Sequence, residues 1–267
     1  MILILSSIAA AYAGVVLLLV WKQDALVFPG AGRGDRGHGD HPRVRAIAAV
    51  RDGGRTFRIA IAEPQREARA VALYFVGNGE DLLSAAQGAA SMADYGMEVF
   101  GVEHPGYGAS EGPPGVEALM AAASAAAAIA RCRADELGVP LVSIGTSLGS
   151  FCAVHVAASG VADRLVLRAP PASMLAAAQA RFAWAPVALV LRHPFDNLVR
   201  AGEVKCPAMV LHGDLDRVVP IQQGRALAAA MGGPSHFVEA IGYQHNNVPF
   251  EREGPFGPRI AEFLGLP

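Results

Sequence analysis

Apolar and polar positions divide the chain into segments of different character. Residues 1–21 carry no charged side chain, and at about 1.5 Å of rise per residue a helix of that length spans roughly the 30 Å hydrocarbon core of a bilayer. Residues 29–43 turn polar, rich in Gly, Arg, Asp and His, and read as a surface linker. Two β-prone runs, 46–51 and 56–62, meet at Asp52-Gly53-Gly54. That spacing predicts a hairpin, so the sheet opens with antiparallel strands. From residue 71 onward short runs at 71–76, 98–102, 141–144, 164–168, 208–211 and 236–241 read as strands, those at 71–76 and 141–144 as continuous apolar strands buried on both faces. Helical stretches, among them the Ala-rich run 116–133, alternate with them, which predicts a largely parallel sheet with right-handed crossovers. Residues 170–204 interrupt the alternation with an amphipathic segment bearing Phe182, Trp184, Val187, Leu189, Leu191 and Phe195. An insert there lies above the strand C-termini, where open α/β sheets bind ligands. It either lines an acyl pocket or simply packs on the sheet.

One strand-to-helix boundary carries chemistry. Strand 141–144 runs into Gly145-Thr146-Ser147-Leu148-Gly149 and then an apolar helix with Phe151, Ala153, Val154 and Val156. In a Gly-x-Ser-x-Gly elbow the serine sits at the tip of a strained turn, and the glycines let the helix pack close to the strand. The Leu148 amide then lies at a helix N-terminus, placed to stabilise a developing oxyanion. Glycine and serine are common, so the motif needs partners elsewhere. The 71–76 strand ends in Gly77-Asn78-Gly79, where glycines allow close backbone approach, and the Asn78 amide is the second oxyanion donor expected of an elbow enzyme. A plain turn is the alternative. Gly77 and Gly79, with Phe182 and Trp184 of the insert, are the candidate substrate contacts.

A base and an acid complete the search. His38 and His41 fall in the linker, His155 inside a helix, His193 in the insert, His236 at a strand start, and His104 and His212 in other loops. His245 alone follows the final strand, which makes it the candidate base. Asp216 and Asp214 compete for the acid, with Glu239 behind them. The chain order Ser147, Asp216, His245 is that of elbow hydrolases and differs from the trypsin-like and subtilisin-like orders.

With 267 residues the chain suits one α/β domain, taken as 46–267, preceded by an anchor over 1–21 and a linker over 22–45. A net charge of −2 with 17% charged residues leaves no basic face for nucleic acid. Cys132, Cys152 and Cys206 lack C-x-x-C spacing and read as small buried hydrophobes. Asp35, His38, Asp40 and His41 sit among glycines that give a metal no rigid frame, so no metal or organic cofactor is expected. Residues 1–21 have no basic n-region, and cutting after Ala11-Tyr12-Ala13 would leave 15–20 on the mature chain. An uncleaved single-pass anchor is therefore favoured over a signal peptide or a buried helix. Trp21-Lys22 supplies an interfacial anchor, and cations after the segment (Lys22, Arg33, Arg36) favour a cytoplasmic catalytic domain.

These motifs, together with Pro105-Gly106-Tyr107-Gly108-Ala109-Ser110-Glu111-Gly112, Asp216-Arg217-Val218-Val219-Pro220 and Gly242-Tyr243-Gln244-His245-Asn246, resemble the α/β-hydrolase superfamily from about Val27 to Phe263. The likeness is to its membrane-anchored branch, which includes esterases and protein depalmitoylases. It implies the α/β-hydrolase fold, a mostly parallel central sheet flanked by helices, with the short insert after the sixth strand. It also favours Asp216 over Asp214. Where such proteins usually carry His before the oxyanion-loop glycine this chain has Val76, and where they usually carry Asp it has Glu103. The expected activity is hydrolysis of a small-molecule ester, thioester or acylated substrate. A peptidase releasing small N-terminal residues is the rival, with Glu103 and Glu111 as its candidate ammonium holders, and a non-catalytic membrane scaffold is a further one.

Overall fold

The computed structural model describes residues 2–39, 41–50 and 52–266. Arg51 of the first expected strand, Asp40 of the polar cluster, and Met1 and Pro267 at the ends of the expected anchor and domain lie outside the described residues. Eight strands form one sheet: β1 Val44–Val50, β2 Thr56–Ala62, β3 Ala70–Phe75, β4 Met97–Val102, β5 Leu141–Thr146, β6 Arg164–Arg168, β7 Ala208–Gly213 and β8 Ser235–Ala240, in the order β1-β2-β4-β3-β5-β6-β7-β8. β1 pairs β2 antiparallel, from Val44 opposite Ala62 to Val50 opposite Thr56, and β2 pairs β4 antiparallel. All pairings from β4 through β8 are parallel. Every residue of β3, β4, β5 and β7 is buried, as their unbroken apolar runs require of strands covered on both faces.

The helices are α1 Ile2–Trp21, α2 Gln23–Val27, α3 Leu82–Ala93, α4 Val116–Leu137, α5 Gly149–Ala158, α6 Met174–Arg181, α7 Val187–Val190, α8 Leu198–Ala201, α9 Ile221–Ala230 and α10 Gly257–Leu264. α4 buries Leu119, Ala122, Ala123, Ala126, Ala127, Ala130 and Ala134 at helical spacing, and packs with α5 on one face of the sheet. α3 and α10 cover the other face. Alanine lets these helices lie close to the strands and loses no side-chain entropy on burial. α4 runs four residues beyond the expected 116–133 and stops at Gly138, whose left-handed φ of 66° ends the helix.

The chain leaves β3 toward β4 on one side and returns to β5 on the other, so β3 and β5 are neighbours with diverging connections. A crevice opens where strand order reverses in this way, beyond the strand C-termini. Residues 77–79 and Ser147 stand at that edge.

Two expectations need correction. Part of the segment taken as linker is packed structure: Gln23, Val27 and Phe28 are buried, and Phe28 lies edge-on to His193 and Phe195 with ring centroids 4.9 and 6.1 Å apart. The polar composition of 29–43 masked the apolar turn before it. Cys132 is exposed rather than buried, because it lies on the outer face of α4. α1 is long and apolar enough to cross a membrane, with none of its Ile4–Trp21 stretch buried in the protein. That exposure removes the reading of a core helix, while length and apolarity are shared with a signal sequence.

Candidate active site

Ser147 follows β5 with a φ of 48°, a left-handed backbone that non-glycine residues seldom adopt. The turn is held by the Ser147 amide donating to the Arg168 carbonyl at 2.9 Å and the Ser150 amide donating to the Ser147 carbonyl at 3.0 Å. Side chains at the flanking glycines would collide with the fold. A Cβ on Gly149 would lie 2.1 Å from the Phe75 oxygen, and one on Gly145 2.7 Å from the Gly149 oxygen. The two glycines thus allow α5 to cross β5 and β3 closely enough to lift Ser147 above the sheet edge.

Three loops converge on that point. His245 Nε2 lies 2.9 Å from Ser147 Oγ, and His245 Nδ1 lies 2.7 Å from Asp216 Oδ2. A carboxylate oxygen accepts, so Nδ1 carries the proton and the Nε2 lone pair faces the serine hydroxyl. Asp216 Oδ1 accepts the amides of Val218 and Val219, both at 2.8 Å. Burial works to raise the Asp216 pKa, but hydrogen bonds from His212 and His245 and the Val219 amide outweigh it and hold the carboxyl well below the usual carboxylate range. Asp216 is therefore an anion that orients His245. Asp214, its rival, instead accepts the Gly242 amide and ties the β7 and β8 turns together. Glu239 pairs with Arg225 on the surface.

The loop that carries Asn78 lies against the turn that carries Ser147 and Leu148. A Cβ on Gly77 would come within 4.0 Å of the Ser147 Cβ, which places the loop after β3 against the elbow. Among the described residues no acceptor takes the amide hydrogens of Asn78 or Leu148, as is required of donors waiting for a substrate oxygen. The Gly77 amide donates to Glu80 Oε2, and Gly79 has open space around it.

Side chains not singled out as functional support this arrangement. His212 is wholly buried, with Nε2 2.9 Å from the Val219 carbonyl and 3.1 Å from Asp216 Oδ2. The carbonyl can only accept, so His212 Nε2–H is a second imidazole donor facing Asp216. Its Nδ1 has no partner and faces Gly224, where a Cβ would lie 2.3 Å away. Behind the other loop, His104 Nε2 donates to the Val76 carbonyl at 2.8 Å and Tyr107 Oη to the Asn78 carbonyl at 2.7 Å. The loop after β4 thus holds the start of the loop after β3 at two carbonyls, those of Val76 and Asn78. Burial drives the His104 pKa down to about 4, which keeps the ring neutral. The i, i+4 spacing of His212 and Asp216 was a usable signal in the sequence; no local pattern links His104 to Val76.

The insert differs from its expected role. Trp184 is half exposed and lies edge-on to Tyr12 of α1, centroids 6.1 Å apart, rather than over Ser147. Phe182 sits under the Arg181 guanidinium. Phe195, by contrast, stacks on Phe151 of α5 at 5.0 Å. Glu103 is buried, accepting from the Leu82 amide and Ser110 Oγ, and Glu111 accepts the Thr56 amide. A cleft of about 860 Å³ lined by His41, Arg66, Asp94 and Arg252 does not include Ser147. No group of three or more His, Cys, Asp or Glu suited to a metal occurs among the described residues.

Comparison with known proteins agrees with the fold. Residues 66–198 match the family described as "Serine aminopeptidase, S33". An uncharacterized Mycobacterium tuberculosis protein, Rv2307c, is 27% identical over 244 residues, covering 90% of this chain and 87% of that one. The human alpha/beta hydrolase domain-containing protein 17B is 26% identical over 167 residues, 62% of this chain and 56% of its own length. Among solved structures, a Pyrococcus furiosus esterase, Pf2001, superposes with a TM-score of 0.70 at 14% identity, covering 88% of this chain and 96% of that one. The Thermogutta terrifontis esterase Est2 gives 0.61 at 20% identity, covering 84% and 92%. These likenesses show an α/β-hydrolase fold.

Proposed function

Because the chain belongs to the α/β-hydrolase superfamily, we propose that it is a membrane-tethered serine hydrolase that cleaves a carboxylic ester or thioester through an acyl-enzyme. The observation that carries this reading is the continuous line Ser147 Oγ, His245 Nε2, His245 Nδ1, Asp216 Oδ2, with spacings of 2.9 and 2.7 Å. Ser147 Oγ attacks the acyl carbon as His245 Nε2 takes its proton, and the imidazolium is stabilised by the Asp216 anion. The amides of Asn78 and Leu148 receive the oxyanion, each contributing on the order of 3 kcal/mol to lowering the barrier. Collapse of the tetrahedral species expels the alcohol or thiol, protonated by His245. Water then enters, gives its proton to His245 and attacks the acyl carbon, releasing the acid and restoring Ser147.

The peptidase reading is less well supported, since both acidic groups named for an ammonium hold hydrogen bonds away from Ser147. A p-nitrophenyl acyl-ester series and the matching acyl-thioesters, assayed on the full chain in detergent against amino-acid anilides, test the proposal. Ester or thioester turnover lost in Ser147→Ala is expected. Turnover of the anilides alone would favour the peptidase, and turnover of nothing by folded protein would favour the scaffold.

A further inference from the structure

We infer that the edge of the insert between Arg181 and Arg192 is seated in the lipid bilayer beside α1, so that the active-site end of the domain faces the membrane and takes substrates whose acyl chain lies in it. The ten residues 182–191 carry no polar or charged side chain and are bracketed by two arginines. Despite that composition Ala183, Trp184, Ala188 and Leu189 are exposed, and only Val187 is buried. Leu189 is 87% exposed and Trp184 51%.

Contacts with α1 and α2 fix where the segment lies relative to the apolar helix. The Arg192 guanidinium donates to the Val20 carbonyl at 2.9 Å, Gln23 Nε2 donates to the Val190 carbonyl at 3.0 Å, and Asp24 takes Arg192 and His193. Farther along α1, Tyr12 Oη donates to the Trp184 carbonyl at 3.1 Å, and the two rings meet edge-on. The insert thus runs alongside α1 from the level of Trp21 to the level of Tyr12. Tyr12 precedes Trp21 by nine residues, roughly 13 Å along a helix axis. With Trp21-Lys22 at the headgroups, Trp184 then falls within the roughly 15 Å half-thickness of the hydrocarbon, and helix tilt reduces its depth without removing it. Polarity follows the same axis. Arg192 and Asp24 pair at the interfacial level, and the apolar run lies deeper.

The same segment leads to the nucleophile. Phe195 stacks on Phe151, and Asn197 Nδ2 donates to Ser150 Oγ at 3.0 Å, both on the helix that starts at the elbow. This inference rests on α1 being a membrane anchor, and the experiment separates the two.

The chain contains two tryptophans, Trp21 and Trp184, so Trp21→Phe and Trp184→Phe each leave one fluorophore. Both full-length variants are reconstituted in phosphatidylcholine–phosphatidylglycerol vesicles containing nitroxide-labelled phosphatidylcholine, with the label at the headgroup or on the acyl chain. Trp184 is expected to lose about half its emission to the acyl-chain label and less to the headgroup label, with little quenching by aqueous iodide; Trp21 is expected to show the reverse lipid order. Adding Leu189→Asp to Trp21→Phe is expected to weaken the acyl-chain quenching of Trp184. Lipid quenching of Trp21 without that of Trp184 overturns the inference and leaves the anchor standing; iodide access then means an edge in water, and shielding from iodide means cover by protein. Absence of lipid quenching at both positions overturns anchor and inference together, while leaving Ser147 chemistry untouched.

Discussion

His212 and His104 act through the residues they hold. His212 supplies a second hydrogen bond to Asp216 and occupies space left by the missing side chain of Gly224. His212→Asn is expected to lower kcat/KM roughly tenfold, about 1.4 kcal/mol of barrier, mainly through kcat and with a shifted pH profile. Gly224→Ala, whose Cβ would meet the ring, is expected to reproduce that kinetic change. Steady-state kinetics with a soluble ester reads both. His104 sets an acid limit on stability. Its folded pKa of about 4 lies below the ordinary 6.5, so between those pH values the unfolded chain binds the extra proton. This contribution is complete above pH 6.5 and is lost as pH falls toward 4, on the order of 3 kcal/mol in all. His155, also shifted down by burial, adds in the same direction. Urea midpoints at pH 7 and 4.5 are expected to differ less in His104→Gln than in the unaltered chain. Ser147, His245 and the acidic loop were legible as residue types in loops after particular strands. The choice of Asp216 over Asp214 came from the family resemblance rather than from residue type or position, because both stand in the same turn.

Among the elements, the strands buried on both faces were the easiest to read, since a strand covered by helices leaves no polar face. The helices around them were harder. α4 outran its expected end because Ala134 still faces the sheet. α2 was hidden by the polar segment after it. The elbow depends on how closely α5 approaches the end of β3, where the Phe75 and Val76 oxygens surround Gly149. Gly149→Ala places a methyl group against that backbone, and a destabilisation of about 3 kcal/mol is expected, with loss of ester turnover in whatever protein still folds. Chemical denaturation with and without a soluble ester reads both effects. An unchanged midpoint would mean that α5 can withdraw without dismantling the turn.

At the scale of the whole molecule, the sheet brings together groups far apart in the chain: Ser147 and His245 are 98 residues apart in sequence, yet Oγ and Nε2 lie 2.9 Å from each other. Strand order does this, because β5, β7 and β8 run parallel and deliver their C-terminal loops to one edge. The sequence carried the strand alternation and the motif order, and from these the edge could be foreseen. It did not carry the seating of α1 on the insert, which joins residues about 170 positions apart through backbone carbonyls and shows no sequence pattern. The full chain is expected to stay with the lipid after alkaline carbonate extraction, and its release into the aqueous phase would remove the tether. The most direct test of the central claim is reaction of the full chain in detergent with a fluorophosphonate, the adduct being located by peptide mass. An adduct on Ser147, absent in Ser147→Ala and strongly reduced in His245→Ala, is the expected result. Folded protein that forms no adduct, or forms one at another serine, would contradict the assignment of Ser147 as an activated nucleophile.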